Sequence, residues 1–92
     1  MPYIVVAYDI TDNNRRLRVA RTLRNALERV QRSVYEGELD MSQVERLLNR
    51  IQPLIDEKVD TVRIYILCSA CQKRTKILGR GEVIQDPTLW II

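Results

Sequence analysis

The stretch VAYDITDNNRR (Val6 to Arg16) decides how this chain begins to fold. An apolar run ends on a carboxylate, a polar turn follows, and two adjacent arginines open a helical pattern. Reading back from Asp9, Ile4, Val6 and Tyr8 alternate with Tyr3, Val5 and Ala7. Tyr3 to Asp9 is therefore a strand that is apolar on both faces, the pattern of a strand covered from both sides. Reading forward, Thr11 or Asp12 can cap a helix running to about Val30. Val19, Ala20, Leu23, Ala26, Leu27 and Val30 are spaced for one face of that helix. Asp9 has two readings at this point: an Asx-type cap on the strand-to-helix turn, or a metal ligand.

Further along, QRSVYEGEL (Gln31 to Leu39) reads as a second strand. Ser42 and Glu45 in SQVE have the spacing of a capping box. The helix that it opens carries Val44, Leu47, Leu48, Ile51, Leu54 and Ile55 on one stripe, and Pro53 should kink or tighten its last turn. TVRIYILC (Thr61 to Cys68) is a third strand. Beyond it, QKRTKILGRGEVI reads as a turn and two short strands punctuated by Gly79 and Gly81, and the tail TLWII is extended and apolar. The expected division is a single domain over 1–92, with a core over 1–78 and a C-terminal strand segment over 79–92.

The order β-α-β-β-α-β is the α+β, ferredoxin-like split arrangement, an antiparallel sheet with both helices on one face. The opposite face of the first strand is also apolar, and Tyr65 and Leu67 lie beside Arg63 on that side of the third. A symmetric homodimer, sheet face against sheet face, is the economical way to cover it. The apolar tail would then add an extra strand to its own sheet or to the partner's.

With 92 residues, 46% hydrophobic and 29% charged, the chain has the composition of one soluble globular domain. No apolar run approaches the roughly twenty residues of a membrane span, and no signal-peptide pattern opens the chain, so a cytoplasmic protein without membrane contact is expected. Net charge is +3, but seven of the twelve arginines fall between Arg15 and Arg32, with Glu28 the only acid among them. A guanidinium fork matches phosphate geometry, which favours a phosphate-binding surface over a plain solvated face. Cys68 and Cys71 form one C-x-x-C, and with no histidine and no second cysteine pair a structural zinc site is excluded. Two ordinary cysteines in a strand-end turn are the expectation.

Arg16 falls within the arc of the first helix's apolar stripe, where a charge needs a polar outlet. In the first turn it can reach past the sheet edge toward Asp9, so the two are expected to share one polar pocket. Arg15, Arg18, Arg21 and Arg29 lie off the stripe. Arg18 and Arg29 would sit on nearly one side of the helix, about 16 Å apart, a spacing that suits several phosphates as well as plain solvation. One aspartate is too little for a metal nuclease, because Mg²⁺ commonly takes one or two carboxylates with water and phosphate. A twofold axis that brings two copies of Asp9 together would supply two carboxylates to one ion, which would relieve their mutual repulsion.

YDITDNNRRLRVARTL, RVQRSVYEGEL and DTVRIYIL together resemble the small ferredoxin-like subunit of CRISPR adaptation, the Cas-two family. The resemblance runs from about Tyr3 to Leu67. It implies a homodimer with an interfacial Mg²⁺ or Mn²⁺ held by the aspartate that ends the first strand, here Asp9. It also implies a metal-dependent endonuclease acting on single-stranded RNA or duplex DNA, and a partnership with the adaptation integrase in capturing spacer DNA. Asp9 and Arg16 match catalytic positions. Arg18, Arg29 and Tyr35 (an aromatic replaced here by tyrosine) match further functional positions, and Arg15 joins them as a nucleic-acid contact. Ser33 also matches, but hydrogen bonding within a strand explains a serine there. A non-catalytic DNA-binding scaffold and a toxin-type ribonuclease are the competing readings. An RNA-recognition module ranks behind both, because TVRIYILC offers only Tyr65 for base stacking.

Overall fold

The computed structural model describes residues 1–68, 70, 74 and 76. Its elements run β1 (Tyr3–Asp9), α1 (Asn13–Arg24), β2 (Glu28–Gln31), β3 (Val34–Glu38), α2 (Met41–Ile51), a 3₁₀ turn (Gln52–Leu54) and β4 (Thr61–Leu67). The strands form one antiparallel sheet in the order β2-β3-β1-β4, the α+β ferredoxin-like arrangement read from the sequence. The C-terminal strand segment, Cys71 and the apolar tail lie outside the described residues.

The alternation in β1 sets the core. Ile4, Val6 and Tyr8 are buried together with Val19, Ala20 and Leu23 of α1 and Val44, Leu47 and Ile51 of α2, while Val62 and Ile64 of β4 pack against the same cluster. On the opposite face Val5 and Ala7 are half-buried and Tyr65 is exposed. Tyr3 is buried there, and its hydroxyl donates to Glu36 Oε2 at 2.7 Å. Burial and the neighbouring carboxylate both push that phenol's pKa up.

Three local expectations change. The first helix stops at Arg24 rather than Val30, with Asn25 as C-cap and the Ala26 and Leu27 amides both turned back onto the Leu23 carbonyl. No glycine or proline marks this end. Leu27 is still buried, now from the turn, whereas Val30 is exposed on β2. The single strand expected over Gln31 to Leu39 is a hairpin: β2 and β3 pair across a turn at Arg32 and Ser33, with a register shift between Arg29 and Gln31. That hairpin supplies the second of the two central strands in the β-α-β-β-α-β order.

The capping box on α2 also shifts by two residues. Asp40 is the N-cap: its side chain accepts from the Gln43 amide at 2.8 Å, and the Gln43 side chain accepts from the Asp40 amide at 2.9 Å. Ser42 instead donates its hydroxyl to Asp40 Oδ1 at 2.7 Å. These hydrogen bonds from Ser42 and Gln43 hold the Asp40 carboxyl below its usual range. Pro53 sits in the 3₁₀ turn, the tightened last turn expected of it.

Candidate nucleic-acid interface at the Asp9 corner

Asp12, not Asp9, caps α1: its Oδ2 accepts from the Arg15 amide at 2.9 Å. That removes the capping reading for Asp9. The Asp9 residue ends β1 opposite Thr61 of β4 and is exposed. Among the described residues its carboxylate makes no hydrogen bond or ion pair.

Arg16 and Asp9 line one cleft, as expected, but they are not paired. The Arg16 guanidinium donates to the Ile10 carbonyl at 3.3 Å and the Thr11 carbonyl at 3.4 Å, and also to Asn13 Oδ1. Backbone oxygens of the loop after β1 thus hold this cation beside the carboxylate without neutralising it.

The cleft has a volume of about 490 Å³ and lies between α1 and the β2–β3 hairpin. Four guanidinium-bearing side chains line it: Arg16 and Arg24 from α1, Arg29 from β2, and Arg32 from the hairpin turn. Asp9 is the only acid in its wall among the described residues. Ser33 also lines it, and the Ser33 carbonyl accepts from the Tyr8 amide at 3.1 Å, the backbone role that explains a serine there.

Tyr8 and Tyr35 close the base of the cleft, their rings stacked with centroids 6.2 Å apart and planes at 25°. Tyr35 is 1% exposed, so most of its ring belongs to the core. The Tyr8 hydroxyl donates to the Arg32 carbonyl at 3.3 Å, which ties the hairpin turn to the end of β1. Burial pushes the Tyr8 hydroxyl's pKa up, as does Tyr35, while Arg29 and Arg16 pull it the other way.

Of the other sequence-predicted arginines, Arg29 reaches the cleft from a strand, and Arg18 and Arg15 lie outside it. Arg29 is on β2 as the register partner of Tyr35, so the helical spacing between it and Arg18 does not apply. Arg18 is exposed on α1 and does not line the cleft. Arg15 points to the other side of its helix, where Nε meets Asp60 Oδ2 at 2.8 Å and Nη2 meets Oδ1 at 3.3 Å. Asp60 is 7% exposed and also accepts from the Asp56 amide at 2.9 Å. The Arg15 guanidinium first, and that amide second, hold the Asp60 carboxyl below its usual range.

Sequence reasoning missed Tyr8, Arg24, Arg32 and Asp60 as contributors to this region. For Tyr8 a signal existed: a tyrosine on the inward face of a strand needs an acceptor for its hydroxyl. Arg24 and Arg32 were visible only as members of the arginine cluster. No spacing rule links Asp60 to Arg15, which lies 45 residues earlier.

The family model for CRISPR associated protein Cas2 matches residues 1–75. The chain belongs to the Cas2 family. The Cas2 relative named CRISPR-associated endoribonuclease Cas2 3, from Chloroflexus aurantiacus, is 37% identical over 90 residues, covering 98% of this chain and 97% of its own. A crystal structure of a hypothetical protein from Thermus thermophilus superposes with a TM-score of 0.79 at 39% identity, over 87% of this chain and 93% of that one. A chain in a partial Cas6-RT-Cas1–Cas2 complex shares the fold, with a TM-score of 0.72 at 23% identity over 94% and 93% of the two chains.

In this Cas2 family member, no three acidic or cysteine side chains come together to hold a metal among the described residues. An exposed carboxylate without a partner among the described residues, at an arginine-lined cleft, nevertheless fits one half of a shared Mg²⁺ site, because that ion takes one or two carboxylates and fills its shell with water and phosphate. Among the described residues, no helix is long and apolar enough to cross a membrane.

Proposed function

We propose that this chain is a cytoplasmic subunit of CRISPR adaptation that binds nucleic-acid backbone and hydrolyses phosphodiesters at the Asp9 corner. The observation that carries the reading is an exposed carboxylate, without a partner among the described residues, at a cleft whose other charged groups among those residues are four arginines. Two copies meeting through the half-buried faces of their sheets would bring two Asp9 carboxylates to one Mg²⁺ or Mn²⁺. The ion would supply an activated water and neutralise charge on a phosphate oxygen. Arg16, fixed by the Ile10 and Thr11 carbonyls, orients that phosphate, and Arg29 holds it from the hairpin side. The name of the Chloroflexus relative supports a nuclease, and the Cas1–Cas2 assembly that contains a chain of this fold supports an integrase partner.

A second reading rests on Arg18, exposed on α1 outside the cleft, where it can grip duplex backbone without any role for Asp9. One assay separates the two. Purified protein is given single-stranded RNA or duplex DNA, with Mg²⁺ or with chelator, beside an Asp9→Asn variant shown to dimerise. Metal-dependent cutting that disappears in the variant is the expected result, and the polymer that is cut defines the substrate. Steeply salt-dependent duplex binding with no cutting by either protein would establish the scaffold instead.

A further inference from the structure

The corner that holds Asp9 and Arg16 is closed from behind by a second pair of residues. Arg15 lies next to Arg16 in the first turn of α1, and Asp60 lies next to Thr61, the register partner of Asp9 on β4. A closed circuit of links therefore runs around the corner. Strand pairing joins Asp9 to Thr61, the chain joins Thr61 to Asp60, and the ion pair joins Asp60 to Arg15. The chain then leads to Arg16, whose guanidinium returns to the Ile10 carbonyl beside Asp9.

The ion pair is the long-range link of that circuit, spanning 45 residues of sequence. The Asp60 side chain is wholly buried and that of Arg15 is 30% exposed. Burying a carboxylate carries a desolvation cost that its attraction to a partner largely offsets, so such a pair is an inefficient source of stability. What a two-nitrogen grip adds is geometry, because the planar fork fixes direction as well as distance. Asp60 is itself held firmly. Its carboxylate accepts from the Asp56 amide, and its own amide donates to the Asp56 carbonyl at 2.8 Å. The first turn of α1 is thus anchored to a fixed point at the start of β4.

We propose that Asp60 is a positioning residue for the Asp9 corner: through Arg15 it sets the first turn of α1, and with it the Arg16 guanidinium, against Asp9. The proposal rests on the reading of that corner as the place of phosphodiester hydrolysis. It also gives Arg15 a role other than the nucleic-acid contact expected from the sequence, since two of its nitrogens are committed to Asp60. Loss of the pair should lower turnover and leave substrate binding in place.

The test measures steady-state cleavage of single-stranded RNA or duplex DNA, whichever the parent protein cuts, in Mg²⁺. Asp60→Asn, Arg15→Gln, Arg15→Lys and the double variant Arg15→Gln/Asp60→Asn are compared with Val44→Ala, a change to a buried residue of α2. All are assayed well below their melting temperatures. Asp60→Asn should lower kcat by roughly ten- to a hundredfold, the scale of a misplacement of about 1 Å, with KM unchanged. Arg15→Lys keeps the charge and loses the fork, so it should fold and still show the loss in kcat; it carries the test if Asp60→Asn does not fold. The double variant should lose no more than the single ones, as for residues acting as one unit. Val44→Ala should lower the melting temperature and spare kcat. In ¹⁵N-labelled protein without metal, the pair variants should shift the Asp9, Ile10 and Arg16 amide resonances, and Val44→Ala should not.

Unchanged kcat in a folded pair variant, an equal loss in Val44→Ala, or unmoved resonances would overturn the proposal. A raised KM in Arg15→Gln that Arg15→Lys restores would also overturn it and assign Arg15 to the nucleic acid. If the parent cuts neither polymer, the catalytic reading falls, and the three resonances alone decide whether the pair sets the corner.

Discussion

Two carboxylates sit at neighbouring strand ends and meet opposite fates. Asp9 ends β1 opposite Thr61, and Asp60 immediately precedes that threonine. Asp60 is buried, gripped by two nitrogens of Arg15 and by the Asp56 amide, and its pKa is lowered. Asp9 is exposed, and Arg16, which lines the same cleft, is held by backbone oxygens instead. The contrast separates structural charge from available charge. A buried carboxylate with its donors in place holds the loop after α2 to the start of α1, and it has little capacity left for a ligand. An exposed carboxylate that the fold leaves without donors contributes little to stability and remains open to a cation.

The largest expected effect is on activity at the open corner. Asp9→Asn should reduce metal-dependent cleavage by about a hundredfold or more, because even groups behind a metal ligand cost 10–100-fold when removed. Its unfolding free energy should move by no more than about 0.5 kcal/mol, as for other exposed substitutions. A large loss of stability in that variant would erase the contrast between the two aspartates.

Asp60→Asn should behave in the opposite way, with a clear drop in melting temperature at neutral pH. The pH dependence follows from the sign of the shift. A carboxyl whose folded pKa lies below its unfolded value stabilises the fold above that unfolded value, near 3.9, and the contribution is lost as the pH falls through the folded one. The gap between parent and variant in thermal melts should therefore be full at pH 7 and shrink progressively below about pH 4. A gap that stayed constant through that range would mean that the Arg15 pair is not its source.

Asp12 is a third carboxylate and falls between the other two, exposed yet engaged as a cap. Asp12→Ala should cost about 1 kcal/mol in denaturant unfolding, the usual value of an N-cap, and should spare single-strand binding. Tyr8→Phe should cost about 0.5–1.5 kcal/mol through the lost bond to the Arg32 carbonyl. Because that bond fixes the turn that bears Arg32, a weakened affinity for nucleic acid should accompany it, read as a raised Kd for RNA in the presence of chelator.

The α1 terminus shows where local reading fails. RNALERV continues the helical spacing without a glycine or proline, and Leu27 is buried whether the chain stays helical or turns. What ends the helix is the pairing of Glu28–Gln31 with β3, a contact that no helical pattern encodes. The cap of α2 fails for a different reason. Asp40 with Gln43 and Ser42 with Glu45 both satisfy the capping spacing, and the exit of the chain from β3 selects the first pair.

The sequence by itself determined the elements whose signals are repetitive and local: the alternation of β1, the core-facing residues Val19, Ala20 and Leu23 of α1 and Val44, Leu47 and Ile51 of α2, and the strand over Thr61 to Leu67. The ferredoxin-like order was legible as well, although the β2–β3 hairpin it requires read locally as one strand. The sequence also placed Asp9 and Arg16 at one corner, because a strand end and the first helical turn after it cannot lie far apart. Only the tertiary structure decided which charges are spent and which remain. Arg15 and Arg16 are adjacent and chemically identical, yet a helical turn directs one to Asp60 and the other into the cleft. Arg29 and Arg32 reach that cleft because the hairpin folds back over the end of β1. Side-chain pairing depends on direction and distance in space, and a one-dimensional spacing fixes those only within a single element.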